Sequence, residues 1–237
     1  MPISLKDKVA LVIGASSGIG RACALQFAAE GAKVMASARR EERLLELQRE
    51  SGAGVLAADA TDAEQMERLA EETARRLGPI DIMVYATGTN TPDRHITRLT
   101  PAIWHELIAT NLDGAYFAAH AVLPAMRSRK QGHLIFISSI SGFLPDVSGA
   151  AYQASKRGLI GLSHAIRMED KENGIRTTVV NPGLVDTEIL LKRPVKPSAE
   201  QLAVALLPEH VAEAVLACAK LPPRAVIPEL TIVPSAM

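Results

Sequence analysis

The sequence has few of the features that mark disulfide-rich, nucleic-acid-binding or membrane-spanning chains. It has two cysteines in 237 residues, and its 26 basic and 26 acidic side chains leave no net charge. Cys23 and Cys218 fall on predicted helices, which indicates reduced core residues rather than a disulfide. No basic run exceeds two residues, no run approaches eighteen apolar residues, and the N-terminus lacks the pattern of a signal peptide. We therefore expect a soluble cytoplasmic protein without nucleic-acid or membrane partners.

Aromatic residues are also scarce, at 3% of the chain, and the six histidines show no spacing typical of metal ligands. We therefore predict no metal site. The chain is nonetheless 48% hydrophobic, and at this length it can bury one large core. These numbers predict a single domain spanning residues 1–237.

Strand and helix patterns alternate along the whole sequence. This alternation predicts an α/β fold, a Rossmann-like doubly wound parallel sheet of about seven strands with helices on both faces. The predicted strands are Lys8–Ile13, Lys33–Ala38, Val55–Ala58, Ile80–Tyr85, His133–Ser138, Ile175–Asn181 and Glu229–Val233. The predicted helices are Arg21–Glu30, Glu41–Glu50, Asp62–Leu77, Thr100 to about Met126, Ala151–Glu169 and Pro208–Lys220.

A glycine-rich turn lies between the first strand and the first helix. Gly14, Gly18 and Gly20 have the spacing Gly-x-x-x-Gly-x-Gly, and Ser16 and Ser17 lie between the first two. Glycines allow a ligand to approach the backbone closely, while the free N–H groups and the dipole of a helix N-terminus attract an anion. The turn therefore predicts a phosphate-binding site.

Three polar side chains further along suit proton transfer. Tyr152 and Lys156 lie one turn apart on one face of a predicted helix, thirteen residues after Ser139. A phenol has a pKa of about 10, and a neighbouring ammonium is expected to lower it toward neutral pH. A serine hydroxyl can hold a carbonyl or alcohol oxygen beside the phenol. This set predicts proton transfer to an oxygen while another group moves a hydride.

Together these motifs resemble the classical short-chain dehydrogenase/reductase family, and the resemblance runs from Lys8 to the C-terminus. It implies that Tyr152 is the acid–base residue, that Ser139 orients the substrate oxygen, and that Lys156 holds a ribose and tunes Tyr152. It also implies that Asn111, in Thr-Asn-Leu-Asp-Gly, completes a proton path through a bound water.

The same resemblance implies a set of cofactor-binding residues along the carboxyl ends of the strands. Asp59 would meet the adenine ring. The whole implied set is Gly14, Ser16, Ser17, Gly18, Ile19, Gly20, Arg39, Arg40, Asp59, Ala60, Ala86, Gly88, Tyr152, Lys156, Pro182, Gly183, Val185 and Thr187.

Two segments depart from the family pattern. Ile13 precedes the glycine turn where the family usually has threonine, so one side-chain hydrogen bond is missing. Tyr85-Ala86-Thr87 replaces the usual Asn-Asn-Ala before Gly88. Because those asparagines stabilise the central strands, the replacement puts the local packing in question.

The end of the second predicted strand indicates which nicotinamide is used. The strand ends in Ala38, followed by Arg39 and Arg40. An acidic residue there would repel a 2′-phosphate, whereas guanidinium groups bind phosphate through charge-assisted contacts. Within the family this pattern goes with NADP(H), which is therefore the expected cofactor.

The expected function is reduction of a carbonyl group with NADPH, or the reverse oxidation of an alcohol. Residues 186–207, short and rich in apolar residues and proline, are the expected substrate lid. Reduction of a 3-oxoacyl group on an acyl carrier protein is an alternative, for which Arg127, Arg129 and Lys130 are candidate contacts. A non-catalytic NADP-binding regulatory protein is an alternative from another class.

Members of this family commonly associate through the long central helix and the helix that carries Tyr152, so the resemblance also implies self-association. In this chain the two helices carry more apolar residues than one core-facing stripe can hold. We expect a homotetramer, with a dimer as the alternative, through outward residues among Trp104, Leu107, Tyr116, Phe117 and Leu159.

Overall fold

A computed structural model describes residues 2–236, and it contains one seven-stranded sheet in which every pair of neighbours is parallel. The strands run in the order β3-β2-β1-β4-β5-β6-β7. The fold class predicted from the sequence is confirmed. The strands are β1 (Val9–Ile13), β2 (Lys33–Ala38), β3 (Gly54–Ala57), β4 (Ile82–Tyr85), β5 (Gly132–Ile137), β6 (Ile175–Pro182) and β7 (Glu229–Ile232).

Helices lie on both faces of the sheet. They are α1 (Gly18–Ala29), α2 (Glu41–Ser51), α3 (Ala63–Leu77), α4 (Pro101–Ile108), α5 (Gly114–Arg129), α6 (Ala150–Asp170), α7 (Ala199–Val204) and α8 (Pro208–Ala219). Two helices begin with side-chain caps, since Asp62 and Thr100 accept hydrogen bonds from the backbone N–H groups of Gln65 and Ile103.

The single long helix predicted from Thr100 to Met126 is not regular. A π-helical turn, Ala109–Asp113, joins α4 to α5. A π turn inserts one extra residue into the helix and often occurs at functional sites. Asn111 lies at its centre and is fully buried.

The sheet has an apolar layer on each side. Along β1, Ala10 and Val12 point to one face, where they pack with α1, α2 and α8. Val9, Leu11 and Ile13 point to the other, where they pack with α3, α5 and α6. Because both faces are covered, the central strands are continuous apolar runs rather than alternating ones.

Two of the residues expected to face outward belong to the core. Leu107 and Leu159 are 1% and 0% exposed, because they pack inside the subunit against neighbouring helices. The expectation that they mediate association is therefore wrong. Tyr116 is half exposed, and Trp104 and Phe117 are partly buried.

Cys23 and Cys218 are both buried and unpaired. No helix within residues 2–236 is long and apolar enough to cross a bilayer. In the same part of the chain, no cluster of three or more His, Cys, Asp or Glu side chains has the geometry to hold a metal ion. The predicted domain of 1–237 includes residues 1 and 237, which lie outside the described residues.

Candidate active site

A groove of about 670 Å³ runs along the carboxyl ends of the strands. Its floor lies where the strand order reverses, since β1 connects through β2 to one side of the sheet while β4, β5 and β6 continue on the other. Crossover helices leave the sheet in opposite directions at such a point, which opens a crevice for ligands. Every strand end singled out in the sequence, from Gly14 to Thr187, contributes to this groove.

The glycine turn is packed so closely that side chains are excluded. A Cβ on Gly14, which has a φ of +91°, would lie 2.6 Å from the backbone nitrogen of Thr87. A Cβ on Gly20 would lie 2.3 Å from the carbonyl oxygen of Gly14. Ser17, the residue before α1, makes no side-chain cap, so the first N–H groups of the helix stay open to an anion. The turn therefore fits the pyrophosphate of a dinucleotide.

Two arginines lie at the end of the groove next to this turn, and they differ in their contacts. Arg40 donates to the hydroxyls of Ser16 (3.0 Å) and Ser17 (2.6 Å), and its Nη1 lies 2.8 Å from Glu188. Arg39 is 73% exposed, and its Nη1 lies 3.8 Å from a carboxylate oxygen of Asp59. The structure therefore places Arg40, more than Arg39, over the glycine turn.

Asp59 and Ala60 follow β3 and line the same end of the groove. The carboxylate of Asp59 accepts from the backbone N–H (3.0 Å) and the hydroxyl (2.9 Å) of Thr61. These bonds fix the carboxylate at the groove wall, which is compatible with the predicted adenine contact.

At the other end of the groove, Ser139, Tyr152 and Lys156 line one wall together. Ser139 follows β5, while the other two lie on the first turns of α6. The two elements are joined because Ser138 donates its hydroxyl to the carbonyl of Lys156 (2.9 Å), and the Lys156 ammonium donates to the carbonyl of Ile137 (2.9 Å). The Ser139 hydroxyl bonds to that of Ser141 (3.2 Å).

The expected lowering of the pKa of Tyr152 by Lys156 is wrong for this structure. Burial raises the pKa of Tyr152 above its ordinary value, and the hydrogen-bonding side chain of Ser139 opposes this rise. The Lys156 ammonium lies 5.7 Å from the centre of the phenol ring and is directed to a backbone carbonyl. Burial lowers the pKa of Lys156 to about 8. At neutral pH the phenol therefore keeps its proton.

Asn111 connects the π turn to two parts of the site. Its carbonyl oxygen accepts from the backbone N–H of Thr89 (2.7 Å), and its amide donates to the carbonyl of Thr89 and the hydroxyl of Ser155, both at 3.0 Å. Asn111 thus holds the loop after β4 against the catalytic helix predicted from the sequence. Its part in a proton path stays a prediction.

The structure explains how Tyr85 fits where the family usually has asparagine. Tyr85 is fully buried, and its hydroxyl donates to the carbonyl of Thr110 (2.7 Å), the residue before Asn111 in the π turn. A Cβ on Gly114 would lie 2.4 Å from that hydroxyl. A tyrosine is therefore accommodated between β4 and the π turn because residue 114 has no side chain.

The basic residues proposed for an acyl carrier protein lie elsewhere. Arg127 pairs with Asp170 through two 2.6 Å contacts, and Arg129 lies 3.5 Å from Asp81. With Lys130, they occupy the carboxyl end of α5, just before β5 begins and away from the groove. The acyl carrier protein alternative required these basic residues near the groove, and their position at the end of α5 contradicts that.

Several groove residues were not predicted from the sequence. They come from the loop after β4, the loop between β5 and α6, and the segment after β6, where sequence gives no periodic signal. The pair Lys192-Arg193 in the predicted lid was the available indication. The missed polar residues include Thr89, Asn90, Arg94, Ser141, Asp146, Ser148, Glu188, Lys192 and Arg193.

Comparison with known proteins gives the family. A family model described as short chain dehydrogenase matches residues 8–196. A Staphylococcus saprophyticus protein named as an uncharacterized oxidoreductase is 33% identical over 239 residues, covering 98% of this chain and 99% of that protein. The chain belongs to the short-chain dehydrogenases. As a short-chain dehydrogenase it is an oxidoreductase.

Solved structures of similar short-chain dehydrogenases agree with the fold. The closed form of a serine dehydrogenase complexed with NADP+ is 32% identical, with a TM-score of 0.88 and coverage of 94% of each chain. A metagenomic short-chain oxidoreductase in complex with NADP is 32% identical, with a TM-score of 0.85, and the match covers 98% of this chain and 99% of that one.

Proposed function

We propose that this short-chain dehydrogenase is an NADP(H)-dependent oxidoreductase that interconverts a carbonyl group and a secondary alcohol. The observation that carries the proposal is the convergence of Ser139, Tyr152 and Lys156 at one end of a groove whose other end holds a glycine turn and two arginines. One end thus offers proton-transfer groups, and the other offers an anion-binding turn.

The proposed chemistry divides between the cofactor and three side chains. The nicotinamide supplies or accepts the hydride when it is bound. Tyr152 gives its proton to the carbonyl oxygen during reduction and takes it back during oxidation. The hydroxyl of Ser139 donates a hydrogen bond to the same oxygen. Lys156, with a pKa of about 8, is cationic in most molecules at pH 7 and would hold ribose hydroxyls.

Phosphate recognition by Arg39 and Arg40 supports NADP(H) over NAD(H). Ala38 at the end of β2 presents no carboxylate to the groove, and Arg40 already lies on the hydroxyls of Ser16 and Ser17. Binding of a 2′-phosphate would exchange part of the Arg40–Glu188 contact for a charge-assisted bond to phosphate. The NADP-bound solved structures that resemble the chain support the same choice.

We further propose residues 186–207 as a lid over the reacting end. This segment contributes Thr187, Leu190 and Arg193 to the groove wall. A parallel bridge between Val185 and Leu206 brings its two ends together. The lid is therefore a loop closed at its base, and its first part, residues 187–193, lines the site.

The proposal is tested by turnover and by cofactor titration. Purified protein is screened with NADPH against ketones, aldehydes and 3-oxoacyl thioesters, and the dissociation constants of NADPH and NADH are compared. A hydrogen bond to a charged group is worth roughly 1.5–3 kcal/mol, so NADPH should bind about tenfold to a hundredfold more tightly. Exchanging Ala38→Asp together with Arg39→Ser and Arg40→Ser should reverse the preference.

Arg49→Ser is the matched control, because it removes an exposed arginine of α2 outside the groove. The control should leave the preference unchanged. Tight binding of NADPH without turnover of any substrate would favour the regulatory alternative. Equal affinities for the two cofactors would contradict the proposal that Arg39 and Arg40, after β2, bind the 2′-phosphate.

A further inference from the structure

We infer that the substrate is an oxo acid or hydroxy acid, whose carboxylate is bound by Arg193 and Arg94 while its oxo or hydroxyl group meets Tyr152. This inference rests on the proposed function and adds the substrate class. It is carried by the charges around the reacting end of the groove.

Three basic side chains line this end: Arg94 from the loop after β4, and Lys192 and Arg193 from the lid. Arg94 and Arg193 are half buried. A Cβ on Gly149 would lie 2.6 Å from the Cβ of Arg94, so Arg94 is in contact with the backbone immediately before α6 and three residues before Tyr152. Arg94 is thus close to the reacting phenol, and both Arg94 and Arg193 are near enough for their charges to act on Tyr152.

The three basic side chains form no ion pair within the described residues. Among the ion pairs of residues 2–236, none involves Arg94, Lys192 or Arg193, although Arg98 in the same loop pairs with Asp93. The acidic residue on this wall is Asp146, whose carboxylate already accepts from the hydroxyl of Ser141 (2.5 Å) and the backbone N–H of Ser148 (2.8 Å). Asp146 is close enough for its charge to act on Arg94, but none of the three cations forms an ion pair with it within residues 2–236.

The hydrogen bonds within residues 2–236 show which donors of the cluster are already used: Arg94 keeps Nη1 for a ligand, and Arg193 keeps its whole guanidinium group. Arg94 donates through Nη2 to the carbonyl of Lys192 (2.8 Å) and through Nε to that of Thr91 (3.0 Å), and Lys192 donates to the hydroxyl of Thr89 (2.5 Å). These bonds hold the lid to the loop after β4. Arg193 makes no such bond within residues 2–236 and lines the groove beside Arg94, so its donors are available to a ligand.

The energetics favour an anion between the two guanidinium groups. Burial lowers the pKa of Arg94 and the nearby charge of Arg193 lowers it further, while Asp146 has a smaller opposing effect, so the two cations repel each other in a concave site. A carboxylate placed between them replaces this repulsion with charge-assisted hydrogen bonds, which suit the planar guanidinium. Clefts lined by charged side chains that form no ion pair are typical sites of ligand recognition.

The anion is assigned to the substrate because the phosphates have another site. The glycine turn and Arg40 lie at the opposite end of the groove, where Glu188 pairs with Arg40 and Arg43. Of the groove charges, Arg193 and Arg94 are the cations that act on the pKa of Tyr152, and both lower it. The carboxylate would therefore lie close to the reacting oxygen, as in a short 2- or 3-oxo acid.

The test compares acids with their neutral esters. Reduction by NADPH is measured for acetoacetate and methyl acetoacetate, and for pyruvate and methyl pyruvate, with wild type, Arg193→Gln and Lys196→Gln. We expect wild type to prefer the acids, and Arg193→Gln to lower kcat/KM for the acids about tenfold to a hundredfold while the esters change little. Lys196→Gln is the matched control, since Lys196 is an exposed lid cation outside the groove.

A binding measurement keeps the inference separate from the proposed function. Calorimetry on NADP+-loaded protein with malonate, in which a carboxylate replaces the acetyl group of acetoacetate, should show binding that Arg193→Gln weakens and Lys196→Gln leaves unchanged. Esters turned over as well as acids, or acids and esters equally affected by Arg193→Gln, would overturn the inference while supporting the oxidoreductase. Inactivity on the whole panel would count against the proposed function, and malonate would then decide the inference by itself.

Discussion

At the scale of single residues, the contact between Tyr85 and the π turn links the central sheet to the candidate active site. The Tyr85 hydroxyl donates to the carbonyl of Thr110, and Asn111 then holds the loop at Thr89 and the helix at Ser155. A buried tyrosine thus supports a residue that positions two walls of the groove.

We predict that Tyr85→Phe destabilises the protein without removing the fold. The carbonyl of the half-buried Thr110 loses its side-chain donor, so the free energy of unfolding should fall by roughly 0.5–1.5 kcal/mol. Urea unfolding measures the change. Tyr116→Phe, at a half-exposed tyrosine of α5, is the control and should alter the free energy of unfolding very little. A Tyr85→Phe protein as stable as wild type would show that this hydrogen bond adds nothing.

The sequence was informative about residues whose neighbours are close along the chain. The one-turn spacing of Tyr152 and Lys156 and the glycine turn predicted the two ends of the groove, because both depend on local geometry. The match between Tyr85 and Gly114 joins residues 29 positions apart, and the placement of Arg94 beside Gly149 joins residues 55 apart. Such pairs depend on tertiary packing, which a single sequence does not display.

At the scale of elements, β5 carries a histidine inside the sheet. His133 is 1% exposed, and its Nε2 lies 2.9 Å from the hydroxyl of Thr178 on the neighbouring β6. Burial, aided by the charge of Arg176, lowers the pKa of His133 to about 3. The imidazole is therefore neutral in the folded protein above about pH 3.

This histidine predicts a loss of stability in acid. Because its pKa is lower in the folded chain than in the unfolded chain, where it is about 6.5, the unfolded chain takes up the proton first as the pH falls. The contribution of His133 to the free energy of unfolding is complete well above pH 6.5. Below that pH it declines by about 1.4 kcal/mol per pH unit, down to about pH 3. From pH 6.5 to 5, His133 alone should lower the free energy of unfolding by about 2 kcal/mol.

The check is urea unfolding at both pH values for wild type, His133→Leu and His105→Gln. His133→Leu should show the flatter dependence on pH, whatever its stability at pH 6.5. The exposed His105 serves as the control, and its variant should follow wild type. Parallel pH dependences for all three proteins would mean that His133 takes up a proton in the folded state.

The strands could be predicted closely from the sequence, whereas the π turn could not. All seven strands appear within two residues of their predicted bounds. The five central strands are mostly buried on both faces and leave a continuous apolar signal, whereas the edge strands β3 and β7 are partly exposed. The start of β4 is later than expected because Asp81 accepts the backbone N–H of Val9 with its side chain. The π turn at Ala109–Asp113 has no sequence signal of its own, since it arises where the helix bends around Tyr85 and Asn111.

At the scale of the whole molecule, the outer side of α5 is a candidate contact surface. Tyr116 is 50% exposed. The centre of its ring lies 5.6 Å from that of Phe117 and 5.8 Å from that of His120. An exposed tyrosine and histidine packed beside a partly buried phenylalanine form a surface of the kind enriched at subunit contacts. We propose a homotetramer, or a dimer, that uses this surface.

Light scattering at micromolar concentration tests the association. We expect the mass of a tetramer for wild type and a smaller mass for Tyr116→Glu, because a buried carboxylate without a partner opposes assembly. Leu45→Glu, at an exposed position of α2, is the control and should keep the wild-type mass. A monomeric wild-type protein would contradict the proposal.

The most direct test of the central claim is the activity of Tyr152→Phe with NADPH and the panel substrate on which wild type is fastest. The ring is retained and the proton donor is lost. The account predicts that turnover falls by about two orders of magnitude or more while the dissociation constant of NADPH stays close to that of wild type. Lys156→Met should impair both turnover and NADPH binding. A Tyr152→Phe protein that turns over its substrate at the wild-type rate would contradict the account.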